Sequence, residues 1–119
     1  MITTEHVRHF AEEWINAWNS HNLSRVLSHY SDDFEMSSPF IVQFRGGKSG
    51  TLKGKAQVGA YWQSALERIP DLHFELLEVF SGIESIALLY NSVLGKRATE
   101  LLFLDSDGKV VRAFAHYND

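Results

Sequence analysis

RATELLFLDSDGKVVRAFAHY, residues 97–117, holds two apolar strand-like runs on either side of Asp105-Ser106-Asp107-Gly108. That separator has hairpin chemistry, because Gly108 can take the left-handed position of a bulged loop. The pattern continues upstream. His73 to Phe80 and Ile83 to Leu94 are further strand-like runs, divided by Ser81-Gly82, and Gly95-Lys96 offers a two-residue turn before Arg97. Gly95 suits the first position of a type II′ turn. The last third of the chain therefore predicts an antiparallel meander over His73–Phe80, Ile83–Leu94, Arg97–Leu104 and Lys109–Tyr117. Several of these runs are apolar on both faces, as in Leu101-Leu102-Phe103-Leu104, so the sheet is expected to be covered twice.

The N-terminal half reads differently. Thr3 or Thr4 can cap a helix in which Val7, Phe10, Ala11, Trp14, Ala17 and Trp18 recur at helical spacing, ending near Asn19 to Asn22. A short second helix is predicted over Leu23–Tyr30. Phe34 and Met36 then alternate with Asp33 and Glu35 in a strand that ends at Ser37-Ser38-Pro39. Gln43 to Gly54 contains Gly46, Gly47, Gly50 and Gly54 and is expected to be a loop or ragged hairpin. A third helix, Lys55–Ile69, buries Val58, Tyr61, Trp62, Ala65, Leu66 and Ile69 before Pro70-Asp71. Helices first and a meander afterwards predict one α+β domain over residues 1–119.

Composition excludes several functions. With 11 Lys+Arg against 15 Asp+Glu, the chain offers no basic footprint for nucleic acid or an anionic membrane surface. Having no cysteine, it has no thiolate metal site and no thiol nucleophile. The N-terminus lacks a signal-type apolar segment and no membrane-length apolar run follows, so a cytoplasmic setting is expected. Gly46-Gly47 and Lys48-Ser49-Gly50-Thr51 lack the spacing of a phosphate loop. His6, His9, His21, His29, His73 and His116 are scattered, so no metal and no cofactor are expected.

Trp14 to Trp18-Asn19, His21-Asn22-Leu23, Tyr30-Ser31-Asp32-Asp33, Ser38-Pro39, Gly54-Lys55, Pro70-Asp71-Leu72 and Asp107-Gly108-Lys109 follow one another along nearly the whole chain. In that order they resemble the nuclear transport factor 2-like superfamily, in its SnoaL-like and ketosteroid-isomerase-like branch. The resemblance implies a curved, mixed, largely antiparallel sheet wrapped around three helices into a cone that encloses a pocket. It also implies a homodimer through the outer sheet face and a small hydrophobic molecule as partner. Relatives include isomerases, cyclases and dehydratases as well as noncatalytic binding modules, so the fold leaves the chemistry open. Of the three polar positions of a ketosteroid isomerase, Trp14 stands at the tyrosine, Ser38 at the base aspartate and Glu100 at the second, protonated aspartate. Serine without a basic partner cannot abstract a carbon-bound proton at neutral pH.

Glu100 is thus the candidate acid or base, because a carboxyl facing an apolar pocket has its charged form disfavoured and its pKa raised. A salt bridge to Arg97, Arg112 or a dimer mate is the structural alternative. Its predicted neighbours depend on register. A two-residue turn at Gly95-Lys96 places Asn91 opposite Glu100, and a three-residue turn places Tyr90 there. A bulged loop at Gly108 turns His116 to the Glu100 face, whereas a shift of one residue turns Ala113, Ala115 and Tyr117 inward. His116 is the expected catalytic partner, from the Ala-His-Tyr pattern of SnoaL-like closing strands. Trp14, Tyr30, Phe34, Met36, Ser38, Phe40, Trp62, Tyr90, Asn91 and Leu102 complete the expected substrate-binding wall, where packing and pocket lining coincide.

Overall fold

Helix α1, Thr4–Asn19, begins where the Thr3 hydroxyl accepts the His6 amide at 3.1 Å. Its buried stripe is the one read from the sequence, Val7, Phe10, Ala11, Trp14, Ala17 and Trp18, with Ile15 added. The computed structural model describes residues 3–45 and 49–118. After α1 come α2, Leu23–Leu27; strand β1, Tyr30–Ser37; α3, Pro39–Arg45; β2, Thr51–Lys53; and α4, Gly54–Arg68. Strands β3, Glu75–Gly82, β4, Ser85–Asn91, β5, Arg97–Leu104, and β6, Val110–Tyr117, complete the chain. A single 3-10 turn, Val93–Gly95, lies between β4 and β5.

The strands form one open six-stranded sheet in the order β2-β1-β6-β5-β4-β3. β1 and β6 run parallel and the other neighbours antiparallel, so the fold is the expected α+β mixed sheet. α4 packs along β1 and α1 along β3, covering the inner face. Asn19 fixes the second contact: its side chain donates to the Phe74 carbonyl at 2.9 Å and accepts the Phe74 amide at 2.7 Å. Among the described residues no helix is long and apolar enough to cross a membrane.

Four expectations need correction. The described residues contain four α-helices rather than three, because α3 forms over a stretch for which no element was expected and runs on into the start of the expected loop at Gln43. Ser38 Oγ accepts the Phe40 amide at 3.2 Å and Pro39 is already set at a helical φ, which is an N-cap followed by proline in the first turn. Gly46 and Gly47 of the expected glycine-rich loop lie outside the described residues. The second helix stops at Leu27, and Tyr30 instead begins β1 by pairing with Val110.

The other two corrections concern register. Asn91 pairs with Arg97, so the β4–β5 connection spans residues 92–96 rather than two, with Leu94 and Gly95 at φ of 59° and 70°. Leu88 is therefore opposite Glu100, in place of Asn91 or Tyr90. At the other edge a bulge between Phe103 and Leu104 pairs Glu100 with Ala115 and Thr99 with His116. Ala113 and Ala115 are buried, Tyr117 follows them on the inner face, and His116 points outward. A slip of one residue exchanges the two faces of a strand, and here the bulge selects Tyr117.

Because Asn19 satisfies two backbone groups of one buried residue, Asn19→Ala is expected to destabilise the fold by about 2 kcal/mol, read as a lower urea midpoint with unchanged slope. A change within about 0.5 kcal/mol would show that water replaces the amide there.

Candidate active site

The burial of β5 alternates strictly from Arg97 to Leu102, which aims Ala98, Glu100 and Leu102 at the helices and leaves Arg97, Thr99 and Leu101 outside. Glu100 is 3% exposed. Tyr90, also buried, comes from the same face of β4 and donates its hydroxyl to Glu100 Oε1 at 3.1 Å. Arg97 and Arg112 lie on the outer side of the sheet and give the carboxyl no ion pair. Burial pushes the Glu100 pKa up from 4.5 to about 7, and the Tyr90 hydrogen bond opposes part of that rise.

Glu100 stands in the wall of a cavity of about 80 Å³ between α1, α4 and the sheet. Trp14 and Trp18 enter from α1, Tyr61 and Trp62 from α4, and Phe74 from the segment before β3. Met36, Ser38 and Phe40 close one side, and Tyr117 stacks on Phe40 with ring centroids 4.3 Å apart. No Lys, Arg or His lines this space among the described residues. The surrounding phenols stay neutral at physiological pH. Burial, reinforced by the Glu100 charge, raises Tyr90 and Tyr117, and burial first raises Tyr61 to about 12. The Ser38 and Tyr90 hydroxyls are close enough to Tyr117 to offset part of its shift.

Of the residues expected at the site, Trp14, Met36, Ser38, Phe40, Trp62, Tyr90 and Glu100 line the cavity. Tyr30, Phe34 and Leu102 are fully buried behind that wall. Tyr30 accepts the Trp14 indole N–H at 2.9 Å, and Tyr30 and Phe34 pack on Trp62 at 5.2 and 5.6 Å. Asn91 and His116 are not brought to the cavity: Asn91 donates to Glu75 at 2.7 Å on the outer face, and His116 is exposed. Sequence reasoning missed Trp18, Phe74 and the Ser92–Leu94 rim. Trp18 was legible, since it lies one turn from Trp14 on the same stripe. The rim was not, because it depends on the loop length. Among the described residues no group of His, Asp and Glu side chains converges to hold a metal ion.

Residues 11–113 match the SnoaL-like domain family. The chain belongs to that family. A SnoaL-like protein of unknown function from Burkholderia thailandensis is 51% identical over 99% of this chain and 98% of its own, with a TM-score of 0.96. More distant structures share the fold. AclR of Streptomyces galilaeus, a candidate hydroxylase, is 20% identical over 98% of this chain and 91% of its own at a TM-score of 0.74. A candidate isomerase of the SnoaL-like family from Agrobacterium tumefaciens is 14% identical over 95% and 97% at 0.73. No curated protein matches the sequence.

In this SnoaL-like domain the raised acid has a thermodynamic signature. Between pH 4.5 and about 7 the folded state holds a proton on Glu100 that the unfolded chain has lost, so stability falls as pH rises through that window. The accumulated cost above it is about 3 kcal/mol. Glu100→Gln keeps an acceptor for Tyr90 and removes the titration. Its melting temperature is expected to exceed wild type at pH 8 and to match it near pH 4.5. Parallel pH curves for the two proteins would show that Glu100 is not desolvated in the folded state.

Proposed function

We propose that this SnoaL-like domain catalyses proton transfer at the carbon next to the carbonyl of a small apolar substrate, with Glu100 as the base. The observation that carries the reading is a carboxyl buried in an aromatic cavity with no counter-ion among the described residues, its pKa pushed up to about 7 by that burial. The Glu100 carboxylate takes the α-proton, the C–H pair moves toward the carbonyl oxygen, and a neutral hydroxyl supports the enolate that forms. Tyr117 is the donor suited to that oxygen, since the Tyr90 hydroxyl is already committed to Glu100. Protonated Glu100 then returns the proton, to the same carbon in exchange or to a conjugated one in isomerisation. Ser38 serves α3 as its cap, which fits a site where one carboxyl works in both directions.

Deuterium exchange into the methyl group of acetophenone in D2O, followed by proton NMR, tests this directly. Exchange is expected to rise with pH through about 7 as Glu100 ionises, and to fall at least about 100-fold in Glu100→Gln. Wild-type exchange by Glu100→Gln would end the assignment. Binding of the ketone without exchange would support the second reading, a noncatalytic ligand-binding module, which the serine at position 38 favours.

The same proposal includes a homodimer through the outer sheet face. Phe80 and Leu101 are 54% and 36% exposed there, beside Phe103 and Phe114, with the Arg112 guanidinium 5.0 Å from the Phe103 ring centroid. Contiguous apolar surface of this kind favours a partner over water. Light scattering is expected to give twice the chain mass for wild type and the single mass for Leu101→Asp. A monomeric wild type at tens of micromolar would remove the dimer from the proposal.

A further inference from the structure

Leu94 is at odds with folding on two counts. Its backbone is left-handed, at φ 59° and ψ 29°, where a branched side chain is strained and glycine or asparagine is at ease. The residue is 72% exposed, so its side chain gains little from burial. The loop around it is well defined, with the Ser92 amide donating to the Lys96 carbonyl at 2.7 Å and the Lys96 amide to the Val93 carbonyl at 3.1 Å. The chain does place glycine at the next left-handed position, Gly95, where a Cβ would meet nothing within 4 Å. Space does not force leucine at 94.

Leu94 nevertheless belongs to the cavity wall, together with Val93, Ile69 and Phe40, which are all partly exposed. Glu100 lies in the same wall and is nearly inaccessible. The cavity therefore has a polar buried end and a rim that is apolar apart from Ser92, and Leu94 is the most solvent-exposed part of that rim. A strained, exposed apolar residue aligned with a cavity is accounted for by what it covers when the cavity is filled.

We infer that Leu94 is a specificity-determining residue that covers the apolar tail of a carbonyl compound whose oxygen end lies at Glu100. The inference rests on the cavity being the substrate site. It orients the substrate: carbonyl inward, tail outward under Leu94 and Val93. A ketone with a short alkyl extension opposite its carbonyl is then preferred over the bare ketone.

Calorimetric titration with acetophenone and 4-butylacetophenone, on wild type, Leu94→Asn, Leu94→Gly and Leu94→Met, tests this. Wild type is expected to bind the butyl compound more tightly than acetophenone. Leu94→Asn and Leu94→Gly should melt at or above the wild-type temperature, keep acetophenone affinity within about twofold, and lose about tenfold for the butyl compound. Leu94→Met should retain the preference. If wild type binds acetophenone but gains nothing from the butyl group, or the Asn and Gly variants keep the full gain, the inference fails while the site reading stands. A lowered melting temperature with equal loss of both ketones would make Leu94 a support of the fold and overturn its role in specificity. Binding of neither ketone by wild type would overturn the inference and the site reading together.

Discussion

The period-two alternation of β5 is the constraint on which the site depends. Ala98, Glu100 and Leu102 share one face, so the strand cannot turn its carboxyl to water without also withdrawing Leu102, which is fully buried, from the core. Glu100 is thus held inside by the burial of its neighbours rather than by a partner of opposite charge. The Tyr90 hydroxyl satisfies one oxygen, and the remaining desolvation appears as a raised pKa. A carboxyl kept in this way gives up stability at neutral pH for a group that can exist in both protonation states.

The aromatic wall follows from the same geometry. Trp14 stacks on Phe74 with centroids 5.9 Å apart and meets Tyr90 edge-on at 5.3 Å, while Trp18 meets Trp62 edge-on at 5.0 Å. These rings come from α1, α4, β4 and the segment before β3, so α1 and α4 are locked to the sheet by residues that also bound the cavity. Rigid rings meeting at steep angles leave space that flexible aliphatic chains would fill. Behind them, Tyr30 satisfies the Trp14 indole, whereas the Trp18 indole N–H is buried without a hydrogen-bond partner among the described residues. The cavity wall thus holds an acid with no ion pair among the described residues, the Trp18 indole N–H and the left-handed Leu94, while the other left-handed non-glycine residues, His21 and Glu84, lie elsewhere.

Much of the architecture was legible in particular residues. The stripe from Val7 to Trp18 announced α1, Gly108 announced the last hairpin, and Lys55 to Ile69 announced α4 to within a residue at each end. The order of Trp14-Trp18-Asn19, Ser38-Pro39, Pro70-Asp71 and Asp107-Gly108 carried the resemblance to the SnoaL-like branch, and the family match agrees with it. α3 was also written in Ser38-Pro39, but the glycines that follow drew the reading toward a loop.

What the sequence determined by itself was the kind of each long element and the buried stripes of α1 and α4, because period and turn chemistry are local. It could not separate the cavity wall from the core behind it: Tyr30, Phe34 and Leu102 share the periodicity of Trp14 and Trp62 but lie deeper, and depth is set by neighbouring elements. Nor could it decide between His116 and Tyr117. That choice hangs on a bulge at Phe103/Leu104, just as the neighbours of Glu100 hang on a β4–β5 connection three residues longer than a Gly-Lys turn implies. Side-chain direction in a strand reverses with every residue, so a single inserted position redistributes a site. Only the packing of the whole sheet against α1 and α4 fixes where such insertions go.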